Sequence, residues 1–267
     1  FRSLARTSCL FRVGENGTLR LTNVSGFTPY EGMAYGQPMV ISEGNLQIDG
    51  GYYCNMIDSF SSSGSTRGAA ILIDGGTAVI NGGRYAGTAC GIAVRNDAQL
   101  TVNNGYIGSW DNGLYIGDNA SAVIHDGEFD RYEKTSSSSK SQNCAVMMNS
   151  TGDLTIYGGS FYGAKQGLFL QSAGQVTIWN GSFKSRNPRE AQQGAMVISD
   201  MENMNITVYN GTFSGTTGIR SNVKFPLKDI LPDKNSNGMR ATGNGVVIDL
   251  NTEAFIFGEN RLTIEKS

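Results

Sequence analysis

Proline is scarce in this sequence, 5 of 267 residues. That scarcity excludes a collagen-like or proline-rich chain. It also spares the backbone the residue that interrupts hydrogen-bonded strands. Cysteine is sparse too: Cys9, Cys54, Cys90 and Cys144, with no C-x-x-C pair. Zinc-ribbon and thioredoxin-like readings therefore lose their usual support, and free thiols are expected. Cys90 and Cys144 fall at like positions two repeats apart, about 9.6 Å, which is beyond disulfide reach. Net charge is only −2, so the molecule as a whole lacks the basic surplus of a nucleic-acid binder. No apolar run approaches the ~18 residues of a membrane span. P-loop, zincin and Gly-x-Ser-x-Gly motifs are missing. A chain that starts at Phe1 without a signal peptide reads as a processed or trimmed piece.

Glycine is abundant, 36 residues, about twice the ordinary share. Mixed with Asn and β-branched and aromatic residues, it suggests many short strands joined by tight turns. One segment recurs seven times: LQIDGGYY from Leu46, AVINGGRY from Ala78, LTVNNGYI from Leu100, AVIHDGEF from Ala122, LTIYGGSF from Leu154, VTIWNGSF from Val176 and ITVYNGTF from Ile206. The base step between copies is 22 residues, lengthened in some units. Such a period is the signature of a solenoid.

The columns of this alignment carry the physics. Leu46, Ala78, Leu100, Ala122, Leu154, Val176 and Ile206 stand two residues before Ile48, Ile80, Val102, Ile124, Ile156, Ile178 and Val208. Period-two apolar residues line one face of a strand, so both columns should point inward. Gly, Asn or Asp precedes each second turn glycine, and a left-handed backbone is expected at that preceding residue. Two residues beyond the glycine, Tyr53, Tyr85, Ile107, Phe129, Phe161, Phe183 and Phe213 should form an interior stack. An earlier strand in each unit (GIAVRN, GLYIGD, CAVMMN, GLFLQS, GAMVIS) repeats the alternation. The pattern predicts an all-β fold, a right-handed parallel β-helix of about nine coils, ~22 residues each. Residues 1–18 are expected as an N-terminal cap or tail, and 19–267 as the solenoid, with residues 246–264 forming one or two closing coils.

The extra residues leave one corner, at about 54–68, 130–144, 184–194 and 214–244. Insertions confined to one face often mark a binding face. The last three hold eleven basic residues, Arg131, Lys184, Lys224 and Lys228 among them, against five acidic ones. A positive edge of this kind attracts acidic polysaccharides. The outward column of the earlier strands, read as Met39, Ile71, Ala93, Tyr115, Met147, Phe169 and Val197, is apolar. Phe225, Leu227, Ile230 and Leu231 are expected to cover it, since bare it would be costly in water.

The outward column before each key glycine reads Asp49, Asn81, Asn103, His125, Tyr157, Trp179 and Tyr209. Tyr157, Trp179 and Tyr209 form an exposed aromatic ladder flanked by Thr155, Thr177 and Thr207, a platform for sugar rings or a device that stabilises the sheet. His125 is expected to be an ordinary surface residue. Glu128 and Asp130 flank the inward Phe129, about 7 Å apart on the outer face, within the spacing of inverting glycosidases. With Asp126 they also offer hard oxygen ligands suited to calcium; no other cofactor is expected.

In its glycine-rich 22-residue units the chain resembles the pectate-lyase-like β-helix proteins over about residues 19–264, and more narrowly the glycine-rich repeats of bacterial cell-surface β-helix proteins. The resemblance implies the fold but no single activity, because this solenoid serves lyases, hydrolases, tailspikes and adhesins. The adjacent Asp pairs and Gly-His-Gly of the family's galacturonidases are missing. Arg186-Asn187-Pro188-Arg189 begins like the lyases' Arg-x-Pro-x-x-Arg, but its second arginine comes early. The reading is therefore a secreted or cell-surface module that binds glycans without catalysis, with Tyr157, Trp179, Tyr209, Arg131, Lys184, Lys224 and Lys228 as contacts. The alternatives are a polysaccharide lyase or glycoside hydrolase using Glu128, Asp130, Arg186 and Arg189, and a structural stalk or phage-fibre segment. The oligomeric state stays open.

Overall fold

A computed structural model describes residues 9–28, 37–55, 68–131, 144–186, 193–233 and 238–267. Apart from two short 3-10 turns it is all-β, and its 25 described strands join one largely parallel sheet. Each turn of the chain visits three strands in succession. Leading strands include Cys90–Val94, Asn112–Asp118, Cys144–Ser150, Gln166–Ser172 and Gly194–Ile198. Middle strands include Gln99–Val102, Ser121–Ile124, Leu154–Ile156, Gln175–Ile178 and Asn205–Val208. Trailing strands include Tyr106–Ser109, Glu128–Arg131, Ser160–Gly163 and Ser182–Ser185. Within the repeats, strands of one kind pair in parallel from turn to turn, as Leu154 with Val176 and Phe161 with Phe183. This connectivity is solenoid-like and follows directly from the repeat step.

The inward columns are buried as the alternation requires, from Leu46 and Ile48 to Ile206 and Val208. The aromatic column runs up the centre. Tyr53 stacks on Tyr85, and Phe129, Phe161, Phe183 and Phe213 stack in turn with centroids 4.7–5.0 Å apart. Parallel pairing holds like residues about 4.8 Å apart, so one ring falls over the next. Tyr85 donates its hydroxyl to the Gly82 carbonyl at 2.7 Å.

At the first corner between middle and trailing strands Gly50 takes the expected left-handed backbone, φ +114°, but the later corners differ from expectation. The second residue, the invariant glycine of the repeat, takes the positive φ: Gly105 +140°, Gly127 +136°, Gly159 +111°. Asn104, Asp126 and Asn180 before it do not. Their Oδ1 atoms instead accept hydrogen bonds from the following glycine N–H at 2.7–2.8 Å. A short side-chain acceptor at the corner accounts for Asn and Asp there. The left-handed Asn96, Asp97 and Asp118 belong to the other corner, between leading and middle strands.

Three further expectations are corrected. Val40 pairs with Ile71, and Ile41 with Leu72, so Met39 and Ile71 face the core and the outward column begins Ile41, Leu72, Ala93. The sequence register slipped there because the leading strand Val40–Ser42 has apolar residues at both parities. Second, Phe225, Leu227, Ile230 and Leu231 join the central core rather than the outer clusters around Leu72 and Met147. They close the C-terminal end of the stack. Third, residues 246–264 are not closing coils. The strand Glu253–Lys266 runs antiparallel along Gly211–Pro226, and Met239–Gly243 pairs antiparallel with it. The stretch 214–244 is accordingly part strand rather than a plain insertion. An antiparallel cap fills the last open edge, which blunts edge-to-edge pairing. At the other end, Phe11–Val13 already pairs with Val40–Ser42, so ordered pairing starts inside the segment expected as a cap or tail.

Candidate functional site

The outer face of the middle strands carries one continuous column of two chemical kinds. Its first half is polar. Asn81 Nδ2 donates to Asp49 Oδ1 at 2.6 Å, and Asn103 Nδ2 donates to Asn81 Oδ1 at 2.7 Å. Hydrogen bonds from Gln47, Asn81 and Arg20 hold the Asp49 carboxyl down at about 2. Asp49 therefore keeps its charge, and the ladder its anchor, until the pH falls through that value.

The second half is aromatic. His125 stacks on Tyr157 at 4.9 Å, Tyr157 on Trp179 at 6.2 Å, and Trp179 on Tyr209 at 4.0 Å, with ring planes within 7° of parallel. His125 is thus a fourth rung, not an isolated surface residue. Parallel rings with centroids this close lie face to face, so most ring faces are covered by their neighbours. The 6.2 Å step between Tyr157 and Trp179 is the widest of the three. Tyr157 and Trp179 are 46% and 42% exposed. Thr155, Thr177 and Thr207 run beside them in register.

The trailing face assembles other candidates. Asp130, Tyr162, Lys184, Ser214 and Arg261 form one outward column. Arg186 reaches across Tyr162 to donate to Asp130 Oδ2 at 2.9 Å, with its guanidinium 5.6 Å from the Tyr162 ring centroid. Asp130 and Arg186, 56 residues apart in sequence, are therefore brought together as an ion pair. Glu128 is exposed one column away, and the Asp126 carboxylate caps the corner glycine. Among the described residues no group of three or more His, Cys, Asp or Glu is placed to hold a metal. No helix of the described residues is long and apolar enough to cross a membrane.

The remaining basic candidates separate. Lys224 lies 5.5 Å from the Phe255 ring centroid, and Lys228 Nζ donates to Asn251 Oδ1 at 3.0 Å. Both belong to the C-terminal cap. Arg131 ends a trailing strand, and Arg189 lies outside the described residues. Sequence reasoning missed Arg261, because the period of a strand does not tell its direction and only antiparallel pairing puts this residue opposite Ser214. None of the four cysteines is in a disulfide, and Cys90 and Cys144 are buried.

No protein-family model, no curated protein and no solved structure matches this chain.

Proposed function

We propose that this chain is a right-handed parallel β-helix of about nine coils, of the pectate-lyase-like kind, that serves outside the cell as a non-catalytic glycan-binding module. The single observation that carries the reading is the exposure of the adjacent Tyr157 and Trp179, the most widely spaced rungs of the ladder, on a regular outer face. A pyranose has one apolar face of C–H groups and a polar rim. An aromatic face exposed beside threonine hydroxyls suits both. Rungs repeat about every 4.8 Å along the solenoid, close to the length of one sugar in an extended chain, so a sugar beside the Tyr157–Trp179 step has its neighbours alongside the flanking rungs and threonines. Asp130, one of the two candidate catalytic carboxylates, is engaged by the Arg186 guanidinium.

The test is a glycan panel read for binding with the intact chain. Trp179→Ala is expected to weaken the best ligand about 5–30-fold, the loss of about 1–2 kcal/mol typical of a truncated aromatic contact. Circular dichroism of the variant should match the parent. A panel with no ligand, or a ligand held equally by the variant, defeats the proposal. New absorbance near 235 nm, or new reducing ends, from any polysaccharide in the panel would favour the lyase or hydrolase reading instead.

A further inference from the structure

A second surface, on the trailing strands, has a different chemistry. A cleft of about 390 Å³ opens there, with Lys184, Arg186 and Arg261 on its walls. Its volume lies within the roughly 300–1,000 Å³ of small-ligand sites. Ser182, Thr212 and Ser214 supply hydroxyls, and the Tyr162 ring lies beneath Arg186. Among the described residues no carboxylate lines it. Asp130 occupies Arg186 from outside the cleft, but among the described residues Lys184 and Arg261 have no carboxylate partner. Two like charges facing one cleft repel each other, and an anion between them relieves that repulsion.

We propose that this cleft binds the sulfate esters of a polysaccharide. Register fixes the spacing. Lys184 pairs with Ser214, and Ser214 with Arg261. The two cations therefore stand two strand steps apart, about 10 Å, with a hydroxyl between them. That is the length of a disaccharide, so one sulfated chain laid along the column meets both. A carboxylate offers two oxygens in one plane, which an arginine fork matches best. Here Arg186 already donates to Asp130 through one nitrogen, and the further donors are a point-like ammonium, the Arg261 guanidinium and hydroxyls on two adjacent columns. A sulfate ester points three oxygens in different directions and fits donors spread in this way. The cleft and the aromatic step lie on different strand sets, so neither assignment depends on the other.

Isothermal titration with a heparin-derived hexasaccharide tests the assignment, run beside the same oligosaccharide with its sulfates removed and its carboxylates kept. The intact chain is expected to bind the sulfated form, with the desulfated form at least tenfold weaker. Lys184→Ala and Arg261→Ala should each weaken binding about fivefold or more, and raising the salt should weaken it further, as screening demands. Thermal melts of both variants check that they fold, and Lys184→Arg, which keeps the charge, should bind. Equal binding of the desulfated form, parental binding by a folded Lys184→Ala/Arg261→Ala double variant, or no binding of the sulfated form each overturns the assignment. Loss of heparin binding in Trp179→Ala alone, with the double variant unaffected, would also overturn it and leave the aromatic step as the only site.

Discussion

Phe161→Ala is expected to lower the free energy of unfolding by about 3–5 kcal/mol, read from the midpoint and slope of a urea titration. Phe161 is fully buried, and it stacks on Phe129 at 4.9 Å and Phe183 at 4.7 Å. Truncation removes both contacts and opens a cavity in the middle of the stack. The hydrogen-bonded backbone on either side, paired from Ser160 to Gly163 with the next turn, resists collapse into that space. Four residues earlier on the same turn, Tyr157 points outward. Tyr157→Ala should cost only about 1–2 kcal/mol, the size of its two lost outer ring contacts, to His125 and Trp179. The contrast between these two neighbours is the energetic form of the inside–outside alternation. Similar losses for both would mean that the alternation is misassigned.

Gly159→Ala is expected to cost about 2–6 kcal/mol in the same titration. Two effects combine. Gly159 has φ +111°, where an L side chain is strained by roughly 1–3 kcal/mol. A Cβ there would also lie 2.9 Å from the Gly127 carbonyl oxygen and 3.3 Å from the Phe161 ring. Overpacking of this degree adds about 1–3 kcal/mol. The neighbouring turn glycine, Gly158, has no positive φ, and a Cβ on it would approach one atom at 3.1 Å. Gly158→Ala should therefore be far milder. Reversal of that order would contradict the corner geometry.

Much of the fold was legible in the sequence because a solenoid writes each physical requirement many times. Alternation alone sent Ile156, Ile178 and Val208 inward, and the aromatic two residues past each glycine could only stack on its copies. Legibility failed where repetition stops. The Val40–Ser42 strand is apolar at both parities, so its register had no polar residue to fix it. The strand Glu253–Lys266 alternates like the others, yet alternation is the same in either direction, and its antiparallel course was invisible. The corner was misread for another reason. Asn and Asp tolerate a left-handed backbone, but here they act through a side-chain acceptor, and composition does not separate the two roles.

The candidate sites followed the same rule. The aromatic column was readable, but its stacking mode was not, because ring tilt depends on side-chain packing rather than on period. The Asp130–Arg186 pair and the Lys184–Arg261 cleft join residues from different turns and from the cap. No local motif announces them.

The glycan reading is tested most directly by the emission of Trp179 itself. Trp110→Phe leaves Trp179 as the sole tryptophan, since the chain has two. Titrating the best glycan from the panel into this variant should change the Trp179 emission saturably, with the midpoint matching the dissociation constant from calorimetry, and Tyr157→Ala should abolish the change. A bound glycan that leaves Trp179 emission flat would show that sugars engage another part of the surface and that the outer ladder serves only to hold the sheet together.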